Sequence, residues 1–179
     1  MESAHPRIVI ALVITFFFAA NLQAAEAIKH SSGFVFPATV ASFQREHVEK
    51  NEKGITVRYR EAKALAVITV SIYPAAAPYS AGALRKHFND CVRQIGARVG
   101  PMQRVLEAET KPRGSYRGYG GMLNYNDTFG GRMQQVLSFL NVYQSGDHIV
   151  KVQETYPDAS ADASAGAIGK FGDAFAWPK

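Results

Sequence analysis

The chain has 179 residues, 47% of them hydrophobic, with 20 lysines and arginines against 15 acidic residues and a formal charge of +5. A single cysteine, Cys91, excludes an intramolecular disulfide, so stability has to come from a packed core. G-x-S-x-G, S-x-x-K and G-x-x-x-x-G-K-[ST] are absent, which leaves hydrolase and nucleotide-binding readings without a motif.

At the start, His5 and Arg7 precede an apolar run, IVIALVITFFFAA, over residues 8–20, and the small-residue segment NLQAAEA follows it. This order predicts a signal peptide over residues 1–27. The run's 13 residues fall short of the roughly 20 that a helix needs to cross a bilayer. Cleavage is expected after Ala27, at the A-x-A site Ala25-Glu26-Ala27, or after Ala24. No cysteine follows the run, so the lipid attachment of bacterial lipoproteins is excluded there. Residues 28–179 are then expected to form one exported α+β domain, periplasmic or secreted, burying roughly 68–70% of its unfolded surface. Removing Glu2, Arg7 and Glu26 leaves 19 basic against 13 acidic residues, a charge of +6. A basic exported protein meets lipid head groups, acidic glycan or acidic proteins more readily than nucleic acid.

GFVFP (33–37) predicts a short first strand ended by proline, and SFQREHV (42–48) a second. GITVRYR (54–60) alternates Ile55, Val57 and Tyr59 against Thr56, Arg58 and Arg60, the period of a strand with one core face and one wet face. The turn before it is NEKG (51–54). LAVITVSIYP (65–74) is nearly continuous in β-branched and apolar residues, as suits a central strand covered on both faces. After AAAPYSAG breaks the pattern, Ser80 is placed to cap a helix running to about Arg98, with Leu84, Phe88, Cys91, Val92, Ile95 and Val99 along one side.

MQRVLEAET (102–110) predicts the fifth strand. YRGYGGMLNY (116–125) reads as a bent sixth strand crossed by a helix, because glycines inside a strand mark a bend or a close backbone approach. NDTFGG (126–131) is then its hairpin loop. RMQQVLSFLNVY (132–143) and HIVKVQETY (148–156) flank the turn QSGD as a hairpin. Pro157 ends the last strand, and Asp158 is the expected cap of an alanine-rich helix reaching about Phe175, with Ile168, Phe171 and Phe175 inward. The whole predicts an α+β fold: a twisted, mainly antiparallel sheet of about 6–8 strands with two principal helices packed on it.

Three segments carry a family likeness: FVFPATVASFQRE at the start, AVITVSIYPAAAP before the first helix, and GDHIVKVQETYPDAS before the last. In these the chain resembles the PsbP-like sandwich, a fold shared by the oxygen-evolving photosystem protein, a small Ran-binding nuclear protein and many exported bacterial proteins. The resemblance implies the sandwich and, since members mostly bind partners, a binding role. None of the three segments is a catalytic signature.

His87 and Cys91 stand four apart on the expected helix, a spacing that suits a nucleophile–base pair or half a metal site. Leu84, Phe88 and Ile95 share that face, so Cys91 reads as a small buried hydrophobe. His30, His47 and His148 show no ligand spacing, and neither metal nor cofactor is expected. Glu107 and Glu109 share a strand face with Gln103 and read as solvent-facing. The glycine-rich stretch fails G-x-G-x-x-G, since Leu123 stands where the last glycine belongs, and it is too short for an RGG-type segment.

Positive charge concentrates between Arg85 and Arg117, where eight basic residues face only Asp90, Glu107 and Glu109. Arg85, Lys86, Arg93, Arg113, Arg117 and Arg132 are accordingly the candidate anion- or partner-binding residues. Two functions result. One is an exported, non-catalytic binding or accessory protein of the cell envelope, holding an acidic protein, glycan or lipid head groups but not nucleic acid. The alternative is a small envelope enzyme with its site near His87 and Cys91.

Overall fold

The structure is a computed structural model that describes residues 26–63 and 65–178. Residues 1–25, nearly all of the expected signal peptide, lie outside the described residues. Strands β1 (Ile28–Lys29), β2 (Val35–Phe36), β3 (Thr39–Val40), β4 (Phe43–Asn51), β5 (Gly54–Glu61) and β6 (Ala66–Pro74) precede helix α1 (Ala81–Val99). β7 (Met102–Arg113), β8 (Tyr116–Phe129), β9 (Arg132–Ser145) and β10 (His148–Pro157) follow it. A 3₁₀ turn, Asp158–Ser160, then leads into α2 (Ala161–Ala174).

Eight strands form one sheet in the order β3-β4-β5-β6-β10-β9-β8-β7, with antiparallel neighbours throughout. The alternation in the sequence assigns the faces. Along β9, Val136, Leu140 and Val142 join the core under α1, while Leu137, Phe139 and Tyr143 join the core under α2. The helices therefore cover opposite faces. α1 packs on β8 and β9 through Leu84, Phe88, Cys91, Val92 and Ile95, and α2 packs on β6 and β10. Ile55, Val57 and Tyr59 are buried on the α2 side as their period requires, and Arg58 is exposed on the other.

Three expectations need correcting. The 33–37 segment is not a strand of the main sheet: only Val35–Phe36 is extended, pairing with Ile28–Lys29 in a separate two-stranded ribbon, and Thr39–Val40 takes the sheet edge instead. Residues 126–129 are strand rather than loop. Asp127 pairs with Gln134 and Thr128 with Met133, because Gly130 and Gly131, at φ 59° and 80°, turn the chain in two residues. Finally, α2 begins at Ala161, with Asp158 opening the 3₁₀ turn ahead of it.

The sixth strand is crossed by a helix, as its glycines suggest. A Cβ on Gly121 would stand 2.5 Å from the Leu106 carbonyl oxygen on β7 and 3.0 Å from the Phe88 ring on α1. Gly121→Ala is therefore expected to lower stability by about 1–3 kcal/mol, the usual cost of overpacking, measured by urea unfolding. A neutral result would show that β7 and α1 can move aside.

Candidate functional site

Ser80 caps α1 by accepting from the Ala83 N–H at 3.1 Å. With the helix seated by its apolar side, Arg85 falls on the flank facing β8. Its guanidinium lies over the Tyr119 ring at 5.8 Å, and Phe88 holds that ring edge-on at 5.2 Å. The Tyr119 hydroxyl donates to Glu107 at 3.4 Å. Arg117 stands two residues back on the same face of β8, exposed, opposite Gln144 of β9. The Gln144 amide, itself buried, donates to the Ala77 carbonyl at 2.8 Å and so fixes the loop before α1 at this corner. Neither Arg85 nor Arg117 has a carboxylate within ion-pair distance among the described residues.

The other four candidates are placed differently. Lys86 and Arg93 both pair with Asp90, from four residues before it and three after it on the helix surface, so that two cations share one carboxylate. Such exposed pairs contribute little to stability but they lower the local field. Arg113 reaches the α2 side of the sheet and lines a small cavity there with Glu154. Arg132 opens β9 at the tip of the β8–β9 hairpin, separated from Arg117 by about 40 Å of strand. Arg85 and Arg117 thus share the sheet face beside Tyr119, and the rest are dispersed.

At the opposite flank of α1, His87 meets a residue that the sequence did not single out. The Tyr73 hydroxyl, at the end of β6, lies 2.7 Å from His87 Nε2, while Cys91 Sγ lies 3.7 Å from the same nitrogen. Burial holds the imidazole below its ordinary value, with Lys151 and Lys86 adding to the effect and Asp90 opposing it. Burial likewise pushes the Cys91 thiol up, against the pull of Lys151, and pushes the Tyr73 phenol up. The imidazole is engaged with the Tyr73 hydroxyl, and burial favours the protonated thiol. A nucleophilic cysteine needs the reverse arrangement. A hollow of about 340 Å³ opens beside Tyr73, His87, Asp90 and Gln144, and Cys91 is not part of its wall. Among the described residues no group of three or more His, Cys, Asp or Glu side chains is placed to hold a metal ion.

No family model matches the chain, and no curated protein matches it. Among solved structures it is similar to the solution structure of cyanobacterial PsbP (CyanoP) from Synechocystis sp. PCC 6803. The TM-score is 0.53 at 12% identity, over 86% of this chain and 92% of that one. The chain has the PsbP-like fold.

At that identity the likeness carries architecture only, so the chemistry of this PsbP-like chain has to be argued from its own side chains. No helix among the described residues is long and apolar enough to cross a membrane. Two residues that matter were not found by sequence reasoning. Tyr73 meets His87 across 14 residues of chain, which no local spacing reports. Glu154 had a readable signal: it shares the inward parity of Val150, Val152 and Tyr156 on the last strand.

Proposed function

We propose that this protein is an exported, non-catalytic binding or accessory protein of the cell envelope that holds an anionic partner at the Arg85–Tyr119–Arg117 corner. The carrying observation is that Arg85 lies over the Tyr119 ring and Arg117 stands two residues back on the same strand face, with no carboxylate in ion-pair range of either among the described residues. The leader pattern over residues 1–27 supports export to the periplasm or beyond. Acidic envelope proteins, acidic glycans and lipid head groups all present the negative groups that such a corner attracts, and arginine forks suit carboxylates and phosphates alike. The buried thiol and occupied histidine favour binding over an enzymatic role at His87 and Cys91.

The test is association with two probes, vesicles of phosphatidylglycerol in phosphatidylcholine and soluble polyglutamate. Binding is expected at about 0.1 M salt and its loss at about 1 M, as the Debye length falls from about 10 to about 3 Å. Retention on vesicles alone assigns a lipid surface, and retention on polyglutamate assigns an acidic polymer. Failure to bind either at low salt, or binding indifferent to salt, would overturn the proposal.

A further inference from the structure

Along β10, Val150, Val152 and Tyr156 face the core beneath α2, and Glu154 lies in the same row. Its cross-strand neighbours are Phe139 on β9 and Ile68 on β6, both apolar. Glu154 lines a small, partly open cavity of about 70 Å³ together with Phe171, Phe175 and Trp177 on one side and Val70 and Val152 on the other. Arg113, Asn141 and Tyr143 complete the wall. A space of this size with several polar groups can admit water.

The glycines of β8 leave bare backbone on this face of the sheet. Side chains at Gly118 and Gly120 would collide with Tyr143 and Asn141, which lie down over the bare backbone at these positions. Arg113, at the end of β7, brings its guanidinium close to Gly172 of α2. It is the cation that faces Glu154. Among the described residues, Tyr143 from β9 and Tyr156 on β10, with Asp158 beside Tyr156, are the other titratable groups nearby. β6 contributes Val70, and α2 contributes Phe171, Gly172 and Phe175, while Lys170 and Asp173 lie outside the wall.

We propose that Glu154 and Arg113 form a proton-operated latch on the C-terminal segment: with the carboxyl protonated, α2 and Trp177 seat on the sheet, and ionisation loosens them so that water reaches the carboxylate. Burial supports this by pushing the carboxyl up to about 7, with Arg113 pulling it down. The folded value lies above the unfolded 4.5, so the stabilisation is complete below about 4.5 and is lost as pH rises through about 7.

Trp177 is the only tryptophan in the chain and stands in the cavity wall, so its emission reports the seating. Acrylamide quenching of the purified protein, followed from about pH 5 to about pH 9, is expected to rise in one transition centred near 7. Glu154→Gln removes the titrating group while keeping its shape, and the variant is expected to show the low-quenching state throughout. Arg113→Gln removes the counter-charge and is expected to move the midpoint upward. These variants assign the transition to the carboxyl rather than to any other ionisable group. No transition in the wild type, one that survives Glu154→Gln, or a midpoint that Arg113→Gln leaves in place or lowers would overturn the latch.

Discussion

Replacing Glu154 by glutamine is expected to raise stability at pH 8 by about 3 kcal/mol and to leave it nearly unchanged at pH 4. The carboxyl moves from 4.5 in the unfolded chain to about 7 in the folded one, a gap of about 2.5 pH units at about 1.36 kcal/mol each. Because the folded value is the higher one, the native state prefers the protonated form, and ionisation above it costs stability. Glutamine keeps the hydrogen-bonding shape without the charge, so it resembles the acid form at every pH. For a domain of this length each kcal/mol moves Tm by about 2–4 °C, which makes the expected gain at pH 8 roughly 6–12 °C. Thermal unfolding of both proteins at the two pH values is the check. An equal shift at pH 4 and pH 8 would assign the effect to packing, and no gain at pH 8 would mean that the carboxylate is well hydrated.

Phe171→Ala is expected to cost about 3–5 kcal/mol at pH 5, where the Glu154 carboxyl is protonated. Phe171 is 3% exposed and anchors α2 in the core beneath it. Its ring meets Phe43 and Tyr59 edge-on, each at 5.2 Å, and stacks on Phe175 at 5.4 Å. α2 also depends on packing more than most helices do, since Gly166, Gly169 and Gly172 weaken its intrinsic propensity. Losing this anchor should lower the urea midpoint and red-shift Trp177 emission even at pH 5, where the latch is closed. A loss under about 1 kcal/mol would show that α2 is held elsewhere. Phe171 and Glu154 line one cavity, so their effects should not add.

The fold was legible where periodicity had room to show itself. Ile55, Val57 and Tyr59 specify a face by alternation, and the three- and four-residue spacing from Leu84 to Ile95 specifies a helix side, with Ser80 marking its start. The β1–β2 ribbon was not legible, because two-residue strands carry no period. The 126–129 segment looked like a loop from its asparagine and aspartate, yet the two glycines after it suffice for the turn.

The candidate site was legible as a concentration of charge but not as a surface. Arg113 and Arg117 are four residues apart in sequence, yet a register shift on β7 and the turn at Gly114 send them to opposite faces of the sheet. The pairing of Asp90 with Lys86 and Arg93 could have been read, since helix neighbours three and four apart meet. The nearness of Arg85 to Arg117 depends on where α1 crosses β8, and Gly121 hinted at that crossing without placing the arginine.

The most direct test of the central claim compares two double charge reversals with the same change in net charge. Arg85→Glu with Arg117→Glu removes the corner, and Lys86→Glu with Arg93→Glu changes cations that already share Asp90. Dissociation constants for the anionic probe that the wild type binds are measured at low salt. The first pair is expected to weaken binding tenfold or more, about 1.4 kcal/mol, and the second to weaken it less. Equal losses would point to net charge alone, and a larger loss from the second pair would contradict the Arg85–Tyr119–Arg117 site.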